Sequence, residues 1–259
     1  MPLLRARYQV MQSTGPEDNV ENNIVSTDTF LDLDPAETAL VMIDVWGGHP
    51  IKSHHERTSQ IMATTLRDAI DVARAARITC IYAPSPRVAP AYPQWVRYAS
   101  DRELNPSPEP ETDWPPSEYR EKAGKYASLK KRPGELPESY PGPYPDWWHV
   151  RDIASVIAPQ PGDFVVANGD QLHRLLRDRR IVHLFYAGFA TNICLLNRDY
   201  GLHAMRGRNY APIVLRDCTT AIETRDTIDG LRLTQAILAD LERWYFTSDS
   251  IAFREAFGA

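Results

Sequence analysis

The stretch Leu184–Met205, LFYAGFATNICLLNRDYGLHAM, carries the residue types of a nucleophilic site. An apolar run ends at Gly188, small and polar residues follow, and Cys194 then opens a segment with helical character. A helix N-terminus presents unpaired N–H groups and a partial positive charge, so a thiol placed there is expected to be pushed toward thiolate, the nucleophilic form. The same N–H groups, with those of the preceding turn, would hold a developing oxyanion. Such a thiol also needs a base to take its proton and return it to a leaving amine. Asp44, the acid that ends the apolar run TALVMIDV (38–45), is the candidate. A lone cysteine is otherwise a small buried hydrophobe, the reading expected for Cys80 and Cys218.

Asp44 and Cys194 meet only if their segments lie in one sheet. Short apolar runs at 38–45, 78–84, 164–168, 181–188, 211–217 and 243–248 read as buried strands. Between them, helical spacing predicts helices near 58–77 (Met62, Leu66, Ala69, Ile70 and Ala73, with Thr58 or Ser59 as cap), 148–157, 169–179, Cys194–Arg206 and 226–242, then a terminal helix. This alternation predicts an α/β fold, a parallel sheet covered on both faces. Ligands bind such sheets at the carboxyl ends of the strands, where Asp44, Asn168, Gly188 and Asp217 should gather, with Asp217 capping the turn that follows it.

Two regions stand outside the pattern. Residues 1–37 read as edge strands or as an arm packed on a neighbour. Residues 84–148 hold 14 of the 21 prolines and four of the six tryptophans, too aromatic for a linker. They are expected to form an ordered insertion covering a pocket, or a surface excursion at a subunit contact. Trp46, with Trp95, Tyr98, Trp114, Trp147 and Trp148, would supply aromatic walls. A net charge of −5 without a basic run argues against nucleic acid. No apolar run approaches the ~18 residues of a membrane span, and three scattered cysteines form no disulfide framework. A single domain over 1–259 of a soluble, cytoplasmic protein is the expectation.

The segments GFATNICLLNRDYGLHAM, PGDFVV and VLRDCTTA, with Asp44 at the end of the first core strand, resemble the isochorismatase-like cysteine hydrolases. That family includes nicotinamidases, N-carbamoylsarcosine amidases and ureide or biuret hydrolases. The resemblance covers roughly 38–83 and 148–250. It implies a six-stranded parallel sheet in a Rossmann-like three-layer arrangement and an Asp–Lys–Cys triad forming a covalent acyl-enzyme. It also implies a cis peptide at Phe189–Ala190 that aims the Ala190 N–H at the oxyanion held by Cys194 N–H. Phe189, Thr191 and Trp46 would line the substrate pocket. The implied reaction is hydrolysis of a C–N bond in a small amide, carbamoyl or ureido compound, without a cofactor, in a homodimer or homotetramer.

The triad lysine is missing: the chain reads Val165-Val166-Ala167-Asn168. Three arrangements answer this, in order of preference. Asn168 positions Asp44 or the substrate; a lysine of the insertion (Lys122, Lys125, Lys130 or Lys131) supplies the charge; or catalysis is altered or lost. Ether hydrolysis using the Asp without the Cys, and a non-catalytic ligand-binding role, remain alternatives. Arg198 and Asp199 read as a surface or subunit pair as readily as a substrate contact. Some relatives bind a divalent ion through histidines after the second strand, where this chain has none. His49, His54 and His55 follow the first strand, and adjacent histidines rarely face one ion, so they are expected at the surface without a metal.

Overall fold

The computed structural model describes residues 2–96, 114–130 and 152–258. Its strands are β1 (Leu3–Met11), β2 (Ile24–Asp32), β3 (Thr38–Ile43), β4 (Thr79–Ala83), β5 (Phe164–Val165), β6 (His183–Gly188), β7 (Ala211–Leu215) and β8 (Phe246–Ser248). They form one sheet in the order β2-β1-β8-β7-β6-β3-β4-β5. The expected six parallel strands are present, from β8 to β5, but the sheet has eight. Residues of the N-terminal arm form an antiparallel hairpin, β1 with β2, whose β1 lies antiparallel to β8. The hairpin continues the sheet beyond β8, the strand that would otherwise form its edge.

β3 is buried along its whole length, as a central parallel strand must be. Its alternate residues feed two cores. Leu40 and Met42 join Met62, Leu66, Ile70, Phe185, Phe253 and other residues on one face. Ala39, Val41 and Ile43 join Leu172, Leu175, Leu176, Tyr186 and Met205 on the other. The covering helices of the first face are α1 (Lys52–Ala63), α2 (Thr65–Ala75) and the terminal helix Ser250–Phe257. Gly169–Arg179 (α3) lies on the second face. The single helix expected near 58–77 therefore begins earlier and breaks at Thr64, whose backbone is non-helical. The segment expected to be helical before residue 157 is a short 3-10 turn, Ser155–Ile157, in its described part.

Strand order reverses between β3 and β6, the switch point where a doubly wound sheet opens a crevice. Ile43 pairs with Ala83 on one side and Gly188 on the other. The next residues of the three strands, Asp44, Pro84 and Phe189, thus leave the sheet side by side. Gly188 makes this closeness possible. Its φ of +109° suits glycine alone, and a Cβ there would lie 2.0 Å from the Ile43 carbonyl oxygen. Gly188→Ala is expected to cost about 2–4 kcal/mol through backbone strain and overpacking, seen as a lowered midpoint of chemical denaturation.

Candidate active site

Asp44 follows β3 with φ +45°, a left-handed conformation that aspartate tolerates better than most residues. The Asp44 N–H donates to Ala83 O (3.1 Å), and Phe189 N–H donates to Ile43 O (2.9 Å). The Asp44 side chain is fully buried but richly partnered. Its Oδ1 accepts from Trp46 Nε1 (3.2 Å) and Ser85 Oγ (3.2 Å). Its Oδ2 accepts from Arg198 Nε (2.9 Å) and Nη2 (2.8 Å). A buried charge on this scale persists only with such partners.

Cys194 reaches the same carboxylate from the loop after β6. The Phe189–Ala190 peptide is cis, as the resemblance implies. The Cys194 thiol lies beside the Asp44 carboxylate, and the Ala190 N–H acts on its sulfur. Among the described residues, no backbone carbonyl accepts from the N–H of Ala190 or of Cys194. The Cys194 N–H is left for an oxyanion formed beside the sulfur, and the Ala190 N–H, which acts on the sulfur, is the second donor there.

The expectation of a lowered thiol pKa is overturned. Burial, then the Asp44 charge and its hydrogen bond to the thiol, push Cys194 up to about 12, against the smaller opposing effects of Arg198 and the Ala190 N–H. The helix that was to lower it is also shorter than expected. Cys194–Asn197 (α4) is a single turn, and a second helix, α5, runs from Leu202 to Gly207. A one-turn helix sums few peptide dipoles. The resting site therefore holds a neutral thiol beside a carboxylate, and proton transfer to Asp44 must accompany attack. Iodoacetamide is expected to alkylate Cys194 at pH 7–8 at least about tenfold more slowly than free cysteine, whose pKa is ~8.5. Peptide mass spectrometry of the labelled protein measures this directly.

The break between α4 and α5 turns Arg198 inward. Arg198 is extended (φ −60°, ψ 153°), and its guanidinium meets Asp44 and Ser85 Oγ (3.0 Å). Burial opposes its charge, but Asp44, Tyr200 and Cys194 more than offset that, and its pKa is raised. Asp199 points the other way and accepts from Gly169 N–H (2.8 Å). The two are not a surface pair with each other. Asn168, the residue in the lysine position, caps α3: its Oδ1 accepts from Gln171 N–H (2.9 Å). The insertion lysines lie elsewhere. Lys122 and Lys125 sit over the rings of Tyr119 and Tyr126; Lys130 is exposed. Lys131 lies outside the described residues.

Of the expected pocket residues, Trp46 touches Asp44, while Phe189 and Thr191 secure the loop. Phe189 is buried against His54. Thr191 N–H donates to Thr220 O (3.1 Å), and its hydroxyl meets that of Thr219 (2.7 Å). Two of the three histidines are not at the surface as expected, and His55 is half-buried. His49 and His54 are buried in a row of rings from Trp46 to Phe189: His49 stacks on Trp46 (centroids 5.5 Å apart), and His54 meets His49 (4.7 Å) and Phe189 (6.4 Å) edge-on. Burial, then His49 and Arg57, lowers the His54 pKa to about 3, so it serves as a neutral aromatic spacer. Among the described residues, no three His, Cys, Asp or Glu side chains are grouped to hold a metal. Trp114 is exposed, and Trp95 donates to Gln171. Tyr98, Trp147 and Trp148 lie outside the described residues. Cys80 and Cys218 are buried as expected. Asp217 accepts from Ser250 N–H (2.9 Å), tying β7 to the terminal helix. No helix among the described residues is long and apolar enough to cross a membrane.

Ser85 and Tyr200 were missed by the sequence reading as parts of this site, and Arg198 was read as part of a surface or subunit pair or as a substrate contact, not as the partner of Asp44. Tyr200 donates to Pro84 O (2.8 Å), next to Ser85, and accepts at its own carbonyl from Tyr186 OH (2.9 Å). The sequence signal was only the turn-forming Arg-Asp-Tyr-Gly after Cys194.

No family model matches the chain. A curated relative, the ureidoacrylate amidohydrolase RutB of Methylobacterium radiotolerans, is 32% identical over 116 residues, 41% of this chain and 41% of the relative. The match thus spans about two fifths of that protein's length. Among solved structures, a cysteine hydrolase from Pseudomonas syringae pv. phaseolicola superposes with a TM-score of 0.51 at 17% identity, over 87% of this chain and 95% of that one. An isochorismatase family protein from Burkholderia thailandensis gives 0.48 at 19% identity, over 88% and 98%. With its six parallel strands and their switch point at β3 and β6, the chain has the fold of the Pseudomonas syringae cysteine hydrolase.

Proposed function

We propose that the chain is a cysteine-dependent hydrolase that cleaves a C–N bond in a small amide, carbamoyl or ureido compound. The observation that carries this is the Cys194 thiol placed beside the buried Asp44 carboxylate, with the Ala190 N–H acting on the sulfur. A nucleophile within reach of its base, beside N–H donors that no backbone carbonyl engages, is the minimum for acyl transfer. The name of the curated relative, an amidohydrolase, is consistent with it.

The proton moves from Cys194 Sγ to Asp44 as sulfur attacks the carbonyl carbon. The carbonyl oxygen takes up negative charge facing the N–H groups of Ala190 and Cys194. Asp44 returns the proton to the nitrogen, the C–N bond breaks and an amine or ammonia leaves. A thioester remains on Cys194. Asp44 then takes a proton from water as it attacks, the thioester bond breaks, and sulfur regains a proton from Asp44. Amide and water become acid and amine, and no redox partner or cofactor is consumed.

The insertion borders this site. Gly47 N–H donates to Asp152 O (2.8 Å) and Trp46 bridges Ile153, while Trp95 bridges Val165. Its N-terminal end therefore flanks β5, and residues 152–153, just past its C-terminal bound, flank Trp46, which supports reading it as a wall of the pocket. The test is a screen of small amides and ureido acids for ammonia or amine release, run with the wild-type chain and Cys194→Ala together.

A further inference from the structure

We propose that Arg198 is a positioning residue supplying the fixed positive charge of this site: it seats Asp44 and stabilises the Cys194 thiolate once the proton has passed to that carboxylate. This rests on the reading of Cys194 as the nucleophile.

Three observations carry it. Among the described residues, Arg198 is the one cation within ion-pair distance of Asp44, holding it through both Nε and Nη2. The guanidinium is itself only 30% exposed and further held by Ser85, so it is not a loose surface charge. The two residues that follow it are anchored: the Asp199 side chain by the Gly169 N–H, and Tyr200 by Tyr186 and Pro84. Gly169 matters to this arrangement, because a Cβ there would stand 2.1 Å from the Asp199 carbonyl oxygen. The chain thus brings the 198–200 backbone hard against the start of α3, where Asn168 is occupied as a cap.

The charge balance explains what the arrangement does. Before attack the site holds a thiol, a carboxylate and a guanidinium. After proton transfer it holds a thiolate, a carboxylic acid and the same guanidinium. Net charge is unchanged, and the negative charge moves to sulfur while the cation stays fixed. A guanidinium does not give up its proton at any working pH, so of this pair Asp44 is the proton carrier. Substrate chemistry then gains no basic limb from the cation.

The test is the second-order rate of Cys194 alkylation by iodoacetamide between about pH 7 and 10, read by peptide mass in wild type, Arg198→Gln and Arg198→Lys. Arg198→Gln is expected to slow alkylation about tenfold at a given pH, equivalent to an upward shift of one pKa unit. Arg198→Lys, which keeps the charge, is expected to stay within about threefold of wild type, a recovery that a purely structural role would not produce. Matched circular dichroism spectra establish that the Gln variant is folded; should it not fold, the Lys variant decides alone, and a tenfold slowing in it overturns the proposal. An Arg198→Gln profile that coincides with wild type also overturns it, whatever the amide screen gives. Failure of the hydrolase reading would instead appear as amide release that survives Cys194→Ala, a separate measurement.

Discussion

Cys194→Ala is expected to reduce hydrolysis of a small amide substrate by at least about 10³-fold, because the attacking atom is gone and a loosely oriented water must replace it. The fold should survive the change. Cys194 is half-buried, and Asp44 keeps its bonds from Trp46, Ser85 and Arg198 when the thiol is removed. Removing one sulfur at a partly exposed site is expected to cost no more than about 1 kcal/mol. Activity and thermal stability measured on one preparation therefore separate chemistry from folding. Cys194→Ser sharpens the comparison: it restores a hydroxyl that can donate to Asp44, but as a weaker nucleophile, and it should remain far below wild type. Hydrolysis within tenfold of wild type in the alanine variant would mean that Asp44 drives water directly, and the acyl-enzyme route would be abandoned.

The pairing of Asp44 with Cys194 was legible in sequence because both sit at fixed points of strand grammar. Each follows an apolar run, and parallel register brings the ends of adjacent strands to one rim, here through Ile43, Ala83 and Gly188. The added hairpin was half legible. Leu3–Met11 alternates buried and exposed residues over its first half, the signature of a strand, but nothing local says that it joins β8 antiparallel. The pairing of Arg198 with Asp44 was not legible. Its inward turn depends on α4 ending after one turn and on a contact between Asp199 and Gly169, 30 residues away, which no local spacing encodes. The thiol pKa failed for a related reason. The dipole argument considered one helix end, whereas burial and a fully buried carboxylate outweigh it. Sequence placed the ionisable groups together without revealing how little water surrounds them.

Asp44→Asn should separate two properties that a simple activated-thiol picture ties together. Hydrolysis is expected to fall by about 10²–10⁴-fold, because the carboxamide neither accepts the thiol proton nor returns it to the leaving nitrogen. Alkylation of Cys194 at about pH 8 is expected to rise, by about tenfold for each pKa unit recovered. The sign follows from the groups around the sulfur. The Asp44 charge and its hydrogen bond both hold the proton on Cys194; asparagine removes the charge, while Arg198 and the Ala190 N–H, which favour the thiolate, remain. Some stability is lost too, since Arg198 keeps its place without a counter-charge. With Arg198 partly exposed, that loss should be about 1–3 kcal/mol, below the range for a wholly buried broken pair. A variant both less active and less readily alkylated would mean that Asp44 stabilises the thiolate, contrary to its role as proton acceptor. Opposite changes in the two rates, measured side by side, would establish that the nucleophile here is made during the reaction and is not stored in the resting site.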